Sequence, residues 1–248
     1  MPTSSTTPAT VGIGRASIGP ATMTVVARVP GFIPGPGDAG TLAAARAARA
    51  AGAHLLLAPG DPALVAACQA AAGLPVAAEV AGAAEVGPAA ATADLLLVPG
   101  GSMDDGDLLA AVAAAGRPVL LERSPDAGLA AWLEAAGRLA PAELVLCERG
   151  VAPAGPDGPR LLDLSVVPAV RASSGLPVIV DPTAVADDPD TLAALVRAAA
   201  AAGADGVVVS PPGPEPAGLA ALVAEVRDVA GLHGRRLDSA RIRYVGAH

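Results

Sequence analysis

The sequence predicts an α/β fold, a single (β/α)8 TIM barrel with parallel strands, and three observations predict it. Short apolar segments alternate with Ala-rich segments of helical length, which is the pattern of repeated βα units. Eight such units can be counted, and 248 residues is a typical length for one barrel. The apolar segments lack in/out alternation, as expected of strands that are covered on both faces. Eight strands favour a closed barrel over the alternative, an open doubly wound sheet.

The predicted elements follow one another along the whole central part of the chain. Strands are predicted at 24–29, 54–58, 74–80, 94–99, 118–123, 143–149, 176–181 and 206–210. The clearest helices are predicted at 40–51, 62–72, 107–115, 127–139, 190–202 and 217–229. Several of them begin near Asp, Ser or Thr, which are good N-cap residues. No G-x-G-x-x-G motif follows the first strand, so a dinucleotide-binding fold has little support.

Composition divides the chain into one domain with two extensions. Residues 1–20 are rich in Ser, Thr and Pro and lack the features of a secretion signal, which predicts a disordered N-terminal arm. Residues 21–232 hold the barrel. Residues 233–248 form a basic C-terminal tail with four Arg residues, for which a solvated extension is favoured over a nucleic-acid or acidic-partner site.

The types of residue present exclude several kinds of chemistry. All 16 basic residues are Arg and the chain contains no Lys, so a Schiff base with a carbonyl substrate is impossible. The three His residues are widely separated, at His54, His233 and His248. Such a chain can hardly supply a metal site with nitrogen or sulfur ligands. We therefore expect no metal and no cofactor.

Charge and hydrophobicity limit which partners the chain can bind and indicate its cellular compartment. The net charge of −8 and the presence of only three aromatic residues give neither a basic surface nor a stacking platform for nucleic acid. No stretch approaches the roughly 20 uncharged apolar residues of a membrane-spanning helix. The cysteines, Cys68 and Cys147, have no framework spacing and are expected to be reduced. These features predict a soluble cytoplasmic protein.

Candidate site residues stand at the carboxyl ends of the predicted strands, where barrel enzymes hold their reactive groups. The fifth and sixth strands both end in Glu-Arg, and we expect these four charges to be neighbours on one face. Arginines there suit phosphate or carboxylate recognition, and an equally weighted alternative is that the charges only pair with one another. The candidates are Glu79, Glu122, Arg123, Glu148, Arg149, Asp181 and Ser210.

Several of these residues lie in segments that resemble the DAHP synthase (3-deoxy-7-phosphoheptulonate synthase) family and its KDO8P synthase relatives. About 190 residues are covered, and CERG, LDLS and LPVIVDP together are highly specific. Trp132 also stands in the expected helix. The segments, in family order, are GPG at 35–37, LPVAAEV at 74–80, PVLLERS at 118–124, LVLCERG at 144–150, LLDLSVVP at 161–168, LPVIVDP at 176–182 and AAGADGVVVS at 201–210.

The resemblance implies a divalent metal and two phosphate sites, and this chain departs from the family at those positions. The metal cysteine and histidine fall on Gly37 and Ala184, the metal glutamate falls on Ser210, and the loop of the metal aspartate is shortened beyond Pro212. The phosphate-binding lysine is replaced by Glu122, and two phosphate-binding arginines by Gly101 and Leu57. The sugar-phosphate loop after the second strand is deleted between Ala58 and Ala63. The chain is thus predicted to be a degenerate member without the metal ligands.

Three functional hypotheses follow. The first is a pseudoenzyme that has lost the condensation of phosphoenolpyruvate with erythrose 4-phosphate and acts as an anion-binding or regulatory subunit. It would bind a small anionic metabolite through Arg149 and Arg123, or an intact DAHP synthase or chorismate mutase. The second is a repurposed metal-independent enzyme that uses Glu148, Glu79 or Asp181 as acid/base groups. The third is an active shikimate-pathway synthase. By analogy with the family, a homo-oligomer is expected.

Overall fold

Eight parallel strands close into a barrel in the order in which they occur along the chain. The computed structural model describes residues 9–13, 16–20, 23–29, 39–152, 155, 160–210 and 216–232. The last barrel strand pairs with both the first and the seventh, which closes the ring. The predicted TIM barrel is confirmed, and the open sheet is excluded. The barrel strands are β3 (Thr24–Arg28), β4 (Leu55–Pro59), β5 (Val76–Glu79), β6 (Leu95–Val98), β7 (Val119–Glu122), β8 (Leu144–Glu148), β9 (Val178–Val180) and β10 (Gly206–Val209).

A helix follows each barrel strand. The six helices predicted from sequence are present to within a few residues at their ends. Two further helices, α3 and α6, lie in connections where the eight βα units imply a helix but its sequence signal is weak. Each is short and contains a proline, at Pro88 and Pro168, which lowers helix propensity. The helices are α1 (Ala39–Ala51), α2 (Pro62–Ala72), α3 (Ala83–Thr92), α4 (Gly106–Ala114), α5 (Leu129–Arg138), α6 (Val166–Ser174), α7 (Pro189–Ala201) and α8 (Pro216–Leu232).

Aspartate side chains begin three of these helices, as the capping pattern predicts. Asp61 accepts a hydrogen bond from the backbone N–H of Leu64 at 2.7 Å, and Asp188 accepts one from Thr191 at 2.9 Å. Asp105 caps α4 in the same way. Each carboxylate satisfies an N–H group that has no partner inside its helix.

Strand alternation separates the core into two layers. One set of buried side chains points into the barrel, including Val26, Leu120, Cys147 and Ile179. The neighbouring residues on the same strands point outward and pack against the helices. Both faces of every strand are therefore apolar, which explains why no alternation is visible in the sequence.

The N-terminal arm is not disordered throughout, so this part of the domain prediction is wrong. Two short strands, β1 (Val11–Ile13) and β2 (Ala16–Ile18), pair in antiparallel fashion. Val11, Ile13 and Ile18 are buried and join the apolar cluster inside the barrel. The Thr24 hydroxyl, at the start of β3, donates to the Ser17 carbonyl at 2.9 Å. Burial of these three side chains gives the hairpin the apolar contacts that its Ser- and Thr-rich composition did not suggest.

The described part of the chain contains no helix that is both long enough and apolar enough to cross a membrane. Residues 1–8 of the predicted arm lie outside the described residues, and so does the whole basic tail at 233–248.

Candidate functional site

The carboxyl ends of the eight barrel strands form one end of the barrel, which we call the mouth. Strand alternation divides the charged residues there into an inner group, which points into the barrel, and an outer group, which points toward the helices. Residues two positions apart on a strand share a face. Leu120, Cys147 and Ile179 point into the barrel. Glu122, Arg149 and Asp181 each stand two positions further along the chain and therefore point the same way. By the same spacing Arg28 and Glu79 also belong to the inner face. Among the residues that the structure describes, the inner face of the mouth therefore carries two guanidiniums and three carboxylates.

Arg28 is the centre of the inner group. Its Nη2 donates to Asp181 Oδ2 at 2.8 Å and to Glu122 Oε1 at 3.2 Å. Its Nη1 lies 3.6 Å from Glu79 Oε2. One guanidinium at the end of β3 thus faces carboxylates from β5, β7 and the end of β9.

Arg149 completes the inner group from the opposite side. Its Nη1 donates to Glu122 Oε2 at 3.4 Å. Its Nε lies 3.2 Å from Asp181 Oδ2, which is close enough for an ion pair, but the N–H is not directed for a hydrogen bond. Asp181 also accepts from the Thr183 backbone N–H at 3.0 Å. Glu122 and Asp181 are each shared between the two arginines.

Arg123 and Glu148 form the outer group, which faces the helices. Arg123 Nη1 donates to Glu148 Oε2 at 3.0 Å and to Asp163 Oδ2 at 3.1 Å. Its Nε donates to the Ala127 carbonyl, and its guanidinium lies 5.8 Å from the centre of the Trp132 ring. Glu148 is fully buried.

Gly150 fixes the geometry of Glu148 in this group. Its N–H donates to Glu148 Oε1 at 2.8 Å. The residue has a φ of 99°, and a Cβ atom there would lie 2.8 Å from a Val185 methyl group. A glycine is therefore required after Arg149 for both backbone and steric reasons.

The expectation that both Glu-Arg pairs lie on one face is wrong. Consecutive strand residues point to opposite faces, so Glu122 pairs with Arg149 inside while Arg123 pairs with Glu148 outside. The structure brings Arg149, Glu79 and Asp181 together at the mouth and does not bring Arg123 or Glu148 to them. The predicted anion-binding role of Arg123 and catalytic role of Glu148 remain predictions, but both side chains are turned from the mouth.

Sequence reasoning missed Arg28, the residue with the most ion pairs in the inner group. The sequence predicts a first strand that continues to Val29, which makes Arg28 an interior residue of an apolar segment. A signal was available, because a lone charged residue near the end of an apolar segment is expected at the carboxyl end of a barrel strand.

Electrostatics at the mouth are set by competition between burial and pairing. Burial alone acts to lower the pKa of Arg28, but Asp181 and Glu122 outweigh it and hold the pKa above its ordinary value. Burial raises the pKa of Glu122, and Arg149 and Arg28 only partly offset it. Burial also raises the pKa of Glu148 and, beneath the mouth, that of the Cys147 thiol.

The raised pKa of Glu122 predicts a pH dependence of stability. The folded protein holds this proton more tightly than the unfolded chain, so the stabilisation is fully present below the unfolded pKa of about 4.3 and is lost as pH rises through the folded pKa. Glu122→Gln should flatten the fall in unfolding free energy just above that pH, by at most about 1.4 kcal/mol per pH unit. Urea unfolding from pH 4 to 7 measures it. Glu134→Gln, on the surface, is the matched control, and equal slopes for both variants would contradict the prediction.

A cleft of about 320 Å³ opens beside Arg28, between the ends of β3, β4 and β5. Glu79 and Glu85 line it, and the side chain of Glu79 is 41% exposed. The β4–α2 connection consists only of Gly60 and Asp61, and a Cβ atom at Gly60 would lie 2.3 Å from the Glu79 carbonyl oxygen. The predicted deletion of the sugar-phosphate loop is thus matched by a connection too short to hold one.

The described residues do not fit the divalent metal that the resemblance implies. Ala184 ends a short 3₁₀ turn after β9 and has no side-chain ligand atom, and Ser210 offers only a hydroxyl. Gly37 and Pro212 lie outside the described residues. Within the described ranges, no group of three or more His, Cys, Asp or Glu side chains is arranged to hold a metal ion.

The fold and the mouth define the class of protein: a (β/α)8 barrel whose strand ends carry an internal network of guanidiniums and carboxylates. A sequence model of the DAHP synthetase I family matches residues 44–220, well over half of the chain. The chain belongs to this family, which confirms the resemblance read from its motifs.

Individual relatives agree with this assignment. The chain is 32% identical over 140 residues to the phospho-2-dehydro-3-deoxyheptonate aldolase of Thermotoga maritima, across 55% of this chain and 41% of that protein. The matched region therefore covers less than half the length of this relative. The crystal structure of the same-named Thermotoga maritima protein superposes with a TM-score of 0.82 at 24% identity, covering 93% of this chain and 75% of that one. A truncated form of 3-deoxy-D-arabino-heptulosonate 7-phosphate synthase from Thermotoga maritima superposes with a TM-score of 0.81 at 25% identity. This match covers 93% of this chain and 95% of that one.

Proposed function

We propose that this chain is a DAHP synthetase I family barrel that does not condense phosphoenolpyruvate with erythrose 4-phosphate and instead serves as a binding or regulatory subunit. One observation carries the proposal. Arg28 and Arg149 are both engaged by Glu122 and Asp181, so the guanidiniums of the inner mouth are already neutralised by the chain's own carboxylates.

Charge at the mouth disfavours the two phosphorylated substrates of the condensation. Within the described ranges, three inner carboxylates face two guanidiniums, which leaves one negative charge uncompensated. A phosphate placed about 4 Å from an unpaired carboxylate meets a repulsion of about 4 kcal/mol at the effective dielectric constant of a protein surface. Glu122, where the resemblance places a phosphate-binding lysine, is the residue that reverses the sign.

The metal positions support the same proposal. A metal Lewis acid supplies several kcal/mol of transition-state stabilisation, and about 1.4 kcal/mol corresponds to a factor of ten in rate. Ala184 and Ser210 cannot replace the histidine and glutamate that the resemblance places there. Loss of that term alone would reduce the rate by several orders of magnitude.

The direct test is consumption of phosphoenolpyruvate with erythrose 4-phosphate and added MnCl2. We expect no turnover above the background without protein, with the Thermotoga maritima enzyme as the positive control. Turnover that requires manganese and is abolished by Arg149→Ala would overturn the proposal.

Anion binding is tested separately at Arg149, because it has the more accessible of the two inner guanidiniums. Its side chain is 31% exposed, against 21% for Arg28. A bound anion must share Arg149 with two carboxylates, so we expect weak, millimolar binding of phosphate or phosphoenolpyruvate, read as a rise in Tm. Arg149→Ala should remove this rise, and Arg138→Ala, on the surface of α5, should keep it. No response in the wild type would refute the anion-binding part.

A second candidate function is supported by the exposure of Glu79. A general base must reach its substrate, and among the three candidate acid/base residues Glu148 and Asp181 are fully buried whereas Glu79 is 41% exposed and lines the cleft. A repurposed enzyme without a metal would therefore use Glu79. Loss of a newly found activity in Glu79→Gln, with Glu85→Gln unaffected, is the result expected of this alternative.

The proposed regulatory role leaves the partner to be identified. An intact DAHP synthase and a chorismate mutase are the partners that family membership suggests, and a second copy of this chain is the third candidate. Size measurement of the purified protein, alone and mixed with each enzyme, separates the three.

A further inference from the structure

We infer that the guanidinium of Arg28 occupies the mouth in place of a divalent cation, so that the protein carries its own fixed counter-ion and excludes metal from this position. The inference goes beyond the proposed function. It is tested without substrate, so that failure of one and failure of the other can be distinguished.

The position of the guanidinium among oxygen ligands carries the argument. Asp181, Glu122 and Glu79 come from three different strand ends and converge on Arg28 at 2.8, 3.2 and 3.6 Å. Carboxylate oxygens are the ligands that Mg²⁺, Mn²⁺ and Ca²⁺ prefer. With the guanidinium in place, these three carboxylates are not themselves arranged to hold a metal ion. Here the centre of the set is filled by a side chain that is bonded to the protein.

Because Glu122 and Asp181 are buried, they need a positive charge beside them, which the Arg28 guanidinium supplies. Glu122 and Asp181 are almost completely buried, at 1% and 0% exposure. Buried carboxylates so close together repel one another unless a cation lies between them. Arg28 is itself mostly buried, and its Nε is a buried donor without a hydrogen-bond partner. The guanidinium is therefore held by its terminal nitrogens, that is, by the carboxylates.

The charge balance identifies what could replace Arg28. With Arg28 and Arg149 present, the three carboxylates keep one uncompensated negative charge. Without Arg28, Arg149 alone remains, and two negative charges are uncompensated. A divalent cation matches that deficit and prefers the oxygen atoms that the loss of Arg28 would release.

The test is Arg28→Met, which keeps an unbranched side chain as far as the position of Nε and removes the charged end of the guanidinium. We expect its Tm to fall by about 10 °C, because two buried carboxylates lose a partner. MnCl2 at about 100 times its Kd should restore about 5 °C or more, and MgCl2 should act in the same direction. The wild type should not respond to either salt. Isothermal titration of the variant with MnCl2 should give one site per chain.

Two control variants make the result specific. Arg28→Met combined with Asp181→Asn replaces one carboxylate with a neutral amide and should abolish the response to manganese. Arg28→Lys keeps a positive charge and should fold without responding to manganese, which tests the inference even where Arg28→Met fails to fold alone. Manganese binding by the wild type or by Arg28→Lys would overturn the inference. So would an Arg28→Met variant that neither binds manganese nor recovers its fold when manganese is present during refolding.

Discussion

Glu148→Ala should lower the free energy of unfolding by about 3–5 kcal/mol. Glu148 is completely buried and accepts from Arg123 at 3.0 Å, from Gly150 at 2.8 Å and from the Asp163 N–H at 3.3 Å. Its removal leaves the buried Arg123 with Asp163 as its remaining charged partner and leaves two backbone donors unsatisfied. Urea unfolding at pH 7, followed by circular dichroism, measures the loss.

The chain supplies a closely matched control for this prediction. Glu134 on α5 pairs with Arg138 at the same N–O distance, 3.0 Å, but its side chain is 71% exposed. Glu134→Ala should change stability by about 0.5 kcal/mol or less, because exposed helix pairs contribute little. Equal effects of the two substitutions would mean that burial does not govern the outer group.

The outer group also explains which sequence motifs of the family this chain retains. Arg123 comes from PVLLERS, Glu148 and Gly150 come from LVLCERG, and Asp163 comes from LLDLSVVP. These three segments are distant in sequence but are joined by hydrogen bonds on the helix side of the barrel. These contacts give the three segments a common role in the scaffold, whereas Glu122, which differs from the family, lies in the inner group at the mouth.

The barrel was predictable from sequence because its signal is repeated eight times. Each strand is a short apolar segment and each connection holds a segment of helical length, so an error at one element does not change the topology. The predicted ends of the strands differ from the observed ends by up to two residues. At β3 that small error hid Arg28, since the function of a strand-end residue depends on whether it lies inside or beyond the strand.

The pairing of the mouth charges could not be read from apolar patterns alone. Because both faces of each strand are buried, the sequence around Glu122 and Arg149 does not show which face is inward. Only the three-dimensional register reveals that Glu122 and Arg149 share a face. The N-terminal hairpin was missed for a different reason: the apolar residues at Val11, Ile13 and Ile18 are few, and Ser, Thr and Pro outnumber them.

Trp132→Ala should also lower the free energy of unfolding by about 3–5 kcal/mol. Trp132 is the only Trp among three aromatic residues in the chain and is completely buried on α5. A core built largely of Ala, Val and Leu cannot move large side chains into the space it would leave, so most of the cavity persists. Its Nε1 also donates to the Leu121 carbonyl at 3.4 Å, and its ring supports the Arg123 guanidinium.

The conservative variant Trp132→Phe separates packing from the polar contacts of the indole. Phe keeps an aromatic ring beside Arg123 but loses the long hydrogen bond, so we expect a loss of only about 1–2 kcal/mol. Circular dichroism must follow the unfolding, because both substitutions remove the only Trp fluorophore. A loss below about 1 kcal/mol for Trp132→Ala would show that the helices close over the cavity. In that case the outer group would depend on the Arg123–Glu148–Asp163 contacts and not on the indole ring.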